Sequence, residues 1–489
     1  MKSHRILLFI AIVIALLGML CAFFPKEGVR VADTALHFPS LTQILNPERQ
    51  MDVEAYLAQQ DSLAQALEEQ QDSIDSYRHR LAESDIRFWF PNDDDTYFDD
   101  LFAAMERAKK EQRVIRVLHY GDSQIEMDRM SDRLRTHLQE RFGGGGPGLI
   151  PFATIIPSRS VNQYSRGGLV HQSPWGDSTV VRANGNYGIM LQDFRVTGGA
   201  TATVSATNQK HADNRVRRFS QLCLLFNNRP GPLTATLVLP KQATDSTLLT
   251  ADSSQRTDNR QQSANEGVQA FRWQLAQGVS EFKLSVEGTA DLYGILVDDG
   301  AGVAVDNIPL RGSSGQQFMQ VNESQLATAY GLMDIGLVIL QFGGNAVPYL
   351  KGEKGMSSYC NTVRKMIGVV RRNCPKAKIL FIGPSDMCTS VNGQVKTYPY
   401  LPTVVDSLRA TATAQGAAYW SIYDAMGGMN SMKAWAEQGL GGADYLHFSQ
   451  RGADIMGDRL AQALENMYQL YLMRSEDGEF VLSNSKKIK

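Results

Sequence analysis

Cysteine is scarce in this chain, five in 489 residues. So few and so scattered, they exclude a disulfide framework and a cysteine-based zinc site. Cys360 and Cys374 bracket an expected helix, which would hold them roughly 21 Å apart at about 1.5 Å per residue. That is too far for a bridge. An excess of either charge is also missing: 49 Lys and Arg stand against 51 Asp and Glu, a net charge of −2. Nothing there attracts a nucleic acid, and none is expected as a partner. The run GGGGPG (143–148) has no Lys-Ser/Thr after it and is a loop, not a phosphate cradle. With 43% hydrophobic and 20% charged residues the composition is that of ordinary globular domains. The length allows two or three of them.

One long apolar run stands at the N-terminus. Residues 6–24, ILLFIAIVIALLGMLCAFF, carry no charge and follow Lys2 and Arg5. About twenty apolar residues span a bilayer. No A-x-A-like cleavage site follows, and Leu20 is large for a residue preceding a lipoprotein cysteine. We expect residues 1–24 to be an uncleaved signal anchor, with the basic end in the cytoplasm. Cleavage and secretion is the alternative. Residues 25–85 then form a linker and a helical stalk. Val53, Leu67, Ile74 and Leu81 share one heptad position with Gln60; Tyr56, Leu63 and Tyr77 share the position three residues later, with Gln70 as the exception. Such a stripe suits a helix docked on the following domain or standing in solvent. Its other use is a dimerising coiled coil.

The stretch that organises the rest is VIRVLHYGDSQ (114–124), β-type residues ending in Gly121-Asp122-Ser123. Met127, Met130, Leu134 and Leu138 then recur at helical spacing, so the residues read as strand, tight turn, helix over 125–142. A serine beyond a strand end and near a helix start meets free N–H groups and a positive dipole. It could equally be a helix cap. Downstream, VILQFGGNAVP (338–348) is a second buried-type strand that ends in Gly344-Asn345. DYLHFSQRG (444–452) sets Asp444 three residues before His447. None of the other seven histidines has an aspartate at that spacing. His119 lies on the strand before the serine and is assigned to packing.

In these blocks and their order the chain resembles the SGNH/GDSL hydrolase superfamily. The resemblance rests on Gly121-Asp122-Ser123, Gly344-Asn345 and Asp444-x-x-His447, with RGSSG (311–315) where the family's glycine block should fall. It implies a flavodoxin-like, three-layer α/β hydrolase domain with a parallel sheet, in two parts, 86–150 and 304–473. It also implies Ser123 as nucleophile, His447 as base and Asp444 as the carboxylate that orients the base. The oxyanion donors would be the N–H groups of Ser123 and Gly315, with Gly312 as the alternative to Gly315, and the side-chain amide of Asn345. No metal and no cofactor are expected. Gln124 stands where the commoner wording has Leu.

Residues 151–303 differ in texture. Short β-type runs (194–206, 220–228, 233–240, 269–276, 280–288, 290–299) alternate with polar turns, the pattern of an all-β sandwich. Exported SGNH enzymes that deacetylate cell-wall glycan have a similar plan, with a jelly-roll-like, carbohydrate-binding insert at this place. Trp175 and Trp273 are read first as core and second as sugar platforms. Asp386 and Asp424 fall at strand ends where substrate could be touched. The tail, 474–489, is expected to be loose.

The expected function is a serine esterase that hydrolyses acyl esters, O-acetyl above all, on a cell-envelope polysaccharide, that polysaccharide and the membrane being its partners. It would be held in a bacterial inner membrane by a single pass, with the catalytic part facing the periplasm. The alternatives are an O-acetyltransferase with the same site and a non-catalytic glycan-binding or assembly protein. A homodimer through the stalk is the further partner considered.

Overall fold

A computed structural model describes residues 51–69, 74–174, 184–209, 212–227, 231–239, 248–252, 267–391 and 393–485, with 8–9, 13, 16–19, 29–31 and 34–36. The described part of the apolar run, Leu8, Phe9, Val13 and 16–19, is helical. The remainder of the expected anchor lies outside the described residues. Among the described residues no helix is long and apolar enough to cross a membrane.

Val114–Gly121 is buried on both faces, and a strand covered on both sides belongs in a parallel sheet. The sheet contains β1 (Phe88–Trp89), β2 (Val114–Gly121), β3 (Gly302–Pro309), β4 (Asp334–Gln341), β5 (Lys378–Ile382) and β6 (Ala418–Trp420). The strand order is β3-β2-β4-β5-β6-β1. All are parallel except β1, which pairs antiparallel with β6. Setting β1 aside, this is the doubly wound, flavodoxin-like order. Helices Asp99–Ala108, Ser131–Phe142 and Gln450–Ser485 cover one face. They pack Leu101, Leu134 and Leu460 against Val117 and Ile339. Helices Glu323–Gly331, Gly352–Asn373 and Leu401–Ala414 cover the other. They pack Leu326, Val363 and Leu408 against Leu118 and Val338. In such a sheet the crevice for ligands opens where the order reverses, between β2 and β4 at their carboxyl ends. Ser123 follows β2 and Asn345 follows β4.

Between β2 and β3 the chain builds an eight-stranded antiparallel sheet, starting at Gly148–Ile150 and ending with Glu281–Asp298. Two strands expected at 280–288 and 290–299 are one strand of 18 residues. The pairing with Asp193–Ala206 runs unbroken through Gly288, whose φ is 124°. The first half of the long strand pairs with Asp193–Ala206 and Leu233–Val238, the second half with Phe219–Asn227 and Gly148–Ile150. The expected sandwich of separate sheets is therefore one hydrogen-bonded sheet around a shared interior. Leu284, Val286, Leu292, Ile295 and Val297 line that interior with Leu224 and Trp273. Trp273 is thus core and not a platform; Trp175 lies outside the described residues.

A bulge between Leu292 and Gly294 shifts the alternation. Tyr293 and Leu296 then face the opposite way and join the core of the parallel sheet. The seam is also ionic. Arg116 on β2 donates to Asp306 on β3 at 2.8 and 2.7 Å, and to Asp298 at the end of the long strand at 2.6 Å, all three buried. Burial alone would lower the guanidinium pKa, and the two carboxylates more than reverse this.

Where it is described, the stalk takes the docked form, the first of its expected readings. It forms two helices, Val53–Glu69 and Ile74–Glu83, with Gln70 outside the described residues. Val53, Tyr77 and Leu81 are buried in the core beneath the terminal helix, and Tyr77 donates its hydroxyl to the Asn466 carbonyl at 3.2 Å. These apolar positions are occupied by their own chain, which removes them from a coiled-coil seam. The terminal helix runs to Ser485, so residues 474–485, expected to be loose, continue it.

His119 is packing, as expected, and fully buried. The Ser131 hydroxyl lies 2.9 Å from its Nδ1, and the Gln341 side-chain oxygen lies 2.9 Å from Nε2. Burial pushes this imidazole down to about 4, whereas an unfolded histidine titrates near 6.5. Between those values the unfolded chain binds a proton that the native chain refuses. Stability therefore falls as pH drops from about 6.5 to 4, by up to about 3 kcal/mol from this group. Urea midpoints across that range are expected to lose this component in His119→Gln; an unchanged slope would remove the assignment.

Candidate active site

Three side chains from two distant segments meet above β2. Ser123 Oγ lies 2.8 Å from His447 Nε2, and His447 Nδ1 lies 2.7 Å from Asp444 Oδ2. Asp444 Oδ1 accepts from the backbone N–H groups of Leu446 and His447 at 3.0 and 3.1 Å. Burial would raise this carboxyl, but the His447 hydrogen bond and the two N–H groups outweigh it and hold the pKa below the ordinary range. An ionised Asp444 fixes the proton of the neutral imidazole on Nδ1 and leaves Nε2 free to accept from the serine.

The helix expected from residue 125 starts later. Ser123–Asp128 is a kinked 3-10 segment, and the α-helix begins at Ser131. Met127, Asp128 and Met130 have φ values of 61°, 67° and 59°. The buried Asp128 carboxylate is drawn back onto Arg135 at 2.6 and 2.9 Å. Met127 leaves the apolar stripe and is exposed.

Asp122 organises the turn. Its Oδ1 accepts from the Gln124 N–H at 2.9 Å and its Oδ2 from the Asn345 amide at 3.1 Å. Burial raises its carboxyl to about 6 against these bonds. Asn345 also donates to the Ser313 carbonyl at 3.0 Å, which brings the glycine block to the serine. Within that block Gly315 has its N–H on the Ser313 hydroxyl at 2.8 Å. It caps a short 3-10 segment, Gln316–Met319, with φ at 89°. The Gly315 N–H is engaged by its own turn. The N–H groups of Ser123 and Gly312 make no hydrogen bond among the described residues.

Two residues that sequence reasoning did not place hold the site together. Gln124 donates to the Leu446 carbonyl at 2.7 Å and accepts from the Phe448 N–H at 3.3 Å, clamping the backbone on both sides of His447. Its only signal in the sequence was a polar residue where the family wording has Leu. Arg129 donates to the Ser123 carbonyl at 2.6 Å and the Phe448 carbonyl at 3.1 Å, and no motif marked it. Asp386 is fully buried, accepting from Thr397 Oγ1 at 2.8 Å and the Met432 N–H at 2.9 Å. It braces loops and does not reach a substrate. Asp424 belongs to the short helix Ile422–Ala425, where its N–H meets Ser421 Oγ at 3.1 Å. Among the described residues no group of His, Cys, Asp and Glu could hold a metal.

Residues 254–460 match the family model of the GDSL-like lipases and acylhydrolases. The matched stretch holds Gly312, Asn345, Asp444 and His447 and begins after Ser123. A solved structure described as a peptidoglycan O-acetylesterase in action superposes with a TM-score of 0.61 at 20% identity, covering 78% of this chain and 96% of the other. That likeness is one of fold. A family two carbohydrate esterase from Cellvibrio japonicus (TM-score 0.25, 9% identity, 63% of this chain and 99% of the other) is more remote. So is a carbohydrate esterase family 2 enzyme plus carbohydrate binding domain from Corynascus thermopiles (0.25, 10%, 62% and 99%). No curated protein matches the chain in sequence. Residues 254–460 thus carry the match to the GDSL-like lipases and acylhydrolases, on an α/β fold shared with that O-acetylesterase structure.

Proposed function

We propose that the protein is a serine esterase that hydrolyses O-acyl esters, O-acetyl among them, on a cell-envelope carbohydrate. The observation that carries this is the hydrogen-bonded line from Ser123 through His447 to Asp444 at the mouth of the β2–β4 crevice. Ser123 Oγ attacks the ester carbonyl while His447 Nε2 takes its proton. The tetrahedral oxyanion is held by the N–H groups of Ser123 and Gly312 and by the Asn345 amide, once that amide leaves Ser313 or Asp122. The alcohol departs with the proton from Nε2, and water resolves the acyl-enzyme by the same route. The carbohydrate class is supported by the shared fold and by the antiparallel insert. We assign the anchor role to residues 1–24, with the hydrolase parts 86–150 and 304–473 and the insert 151–303 in the periplasm, on the strength of the basic residues before the apolar run.

Asn345→Ala is expected to lower kcat by about 100-fold with little change in KM, since one oxyanion donor is removed. Steady-state kinetics on a chromogenic acetyl ester measures this, and a loss confined to KM would remove Asn345 from the oxyanion site. The function is tested with the full chain on O-acetylated peptidoglycan, with free acetate as the readout. Acetate release is expected. Transfer of acetyl to added glycan without free acetate would make it a transferase instead, and binding without either reaction would make it a glycan-binding protein.

A further inference from the structure

Gln124 and Arg129 tie the nucleophile turn to the His447 loop. The same turn is tied separately to the glycine block. Leu310 donates its N–H to the Gly121 carbonyl at 2.7 Å, Asn307 Nδ2 donates to the Ile125 carbonyl at 2.9 Å, and the Asn345 amide bridges Ser313 to Asp122. Gly312 is therefore flanked on both sides by residues held to the stretch 121–125, which contains Ser123. Beside it stands an ion pair. Arg311 donates from Nε and Nη2 to the two carboxylate oxygens of Glu126 at 2.6 and 2.7 Å. The Glu126 side chain is 6% exposed and that of Arg311 69%. Among the described residues this carboxylate accepts no other hydrogen bond.

Residues 310–313 form a β-turn, closed by the Ser313 N–H on the Leu310 carbonyl at 3.0 Å. Gly312, its third residue, has φ at 71°, and Arg311, its second, is not left-handed. That is the form of a type II turn. The closing hydrogen bond fixes the ends of such a turn and not its central peptide: turned over, that peptide gives a type I turn with the same ends. Here the central peptide joins Arg311 to Gly312. Its N–H is the oxyanion donor assigned to Gly312. Neither that N–H nor the Arg311 carbonyl has a hydrogen-bond partner among the described residues. We propose that Arg311 and Glu126 are the positioning residues of the oxyanion site: their ion pair anchors the central peptide through the Arg311 side chain and keeps the Gly312 N–H aimed at the substrate oxygen on Ser123. The assignment rests on the serine-esterase reading and deepens it. A guanidinium that makes two parallel hydrogen bonds to one buried carboxylate suits this role, because a fork fixes orientation as well as distance.

The test uses the full chain and a chromogenic acetyl ester. Arg311→Ala is expected to lower kcat by about ten- to a hundredfold, the upper bound being the loss of one whole oxyanion donor, with KM changed less than about threefold. Because this variant leaves a buried carboxylate unpaired, Arg311→Ala combined with Glu126→Gln is the second variant, with urea midpoints as the check on folding. The two single variants and the double are expected to lose kcat by similar factors, since either change breaks the same unit. Arg311→Lys keeps the charge without the fork and is expected to fall between wild type and Arg311→Ala. A trifluoromethyl ketone adds Ser123 Oγ to its carbonyl carbon and becomes an oxyanion. Its affinity is expected to fall in each variant by the factor lost in kcat/KM, a change that a pair with a purely structural role would not cause in a folded protein. A rise in KM at unchanged kcat would overturn the proposal and make Arg311 a substrate contact. Wild-type kcat and ketone affinity in the folded double variant would overturn it too and leave the esterase standing. A folded wild-type chain inactive on every ester would remove the esterase reading and the proposal together.

Discussion

Ser123→Ala is expected to reduce ester hydrolysis by about 10⁴- to 10⁶-fold, the range seen when a triad nucleophile is removed. The expectation follows from geometry. Among the described residues only Ser123 presents a hydroxyl to His447 Nε2, at 2.8 Å, and it follows β2 at the mouth of the crevice. The substitution removes one hydroxyl from a half-exposed turn, so thermal stability is expected to shift little. Initial rates on a chromogenic acetyl ester, with acetate release from O-acetylated peptidoglycan beside them, measure the loss. Retention of more than about one per cent of the rate would exclude Ser123 as the nucleophile. The residual activity expected below that level comes from the oxyanion donors and substrate binding alone.

Arg116→Met is expected to destabilise the chain by about 3–5 kcal/mol, the cost of breaking a buried ion pair by removing one partner. Arg116 has two such partners, Asp298 and Asp306, each almost wholly out of solvent. Asp306 also accepts the Leu149 N–H at 2.7 Å, so the cluster joins β2, β3 and two strands of the insert. Urea midpoints read the loss. Adding Asp298→Asn and Asp306→Asn to Arg116→Met is expected to recover a substantial part, because the unpaired carboxylates carry most of the cost. A single variant as stable as wild type would show that the seam is held by Tyr293, Leu296 and their apolar neighbours alone.

The parallel sheet was legible because its strands are buried on both faces and read as near-continuous apolar runs between helical patterns. His447 and Asp444 were legible because three residues of spacing is a local property. Gly315 was preferred for the oxyanion on position in a motif, and the turn instead spends its N–H on the Ser313 hydroxyl. The choice between Gly315 and Gly312 depends on which N–H is left over, and motif order carries no such information. The insert's strands were found by alternation. The merging of two of them through Gly288 was missed, since a glycine reads the same whether the chain turns or continues as strand.

By itself the sequence determined the α/β class, the all-β insert and the meeting of a serine, a histidine and an aspartate, because apolar period and short motifs are local. Tertiary structure alone decided the rest. It docked Val53, Tyr77 and Leu81 on the chain's own core and set Gln124 and Arg129 as clamps across more than three hundred residues. Each of those depends on which distant surfaces meet, and burial and hydrogen bonding between distant segments leave no period in the chain to read.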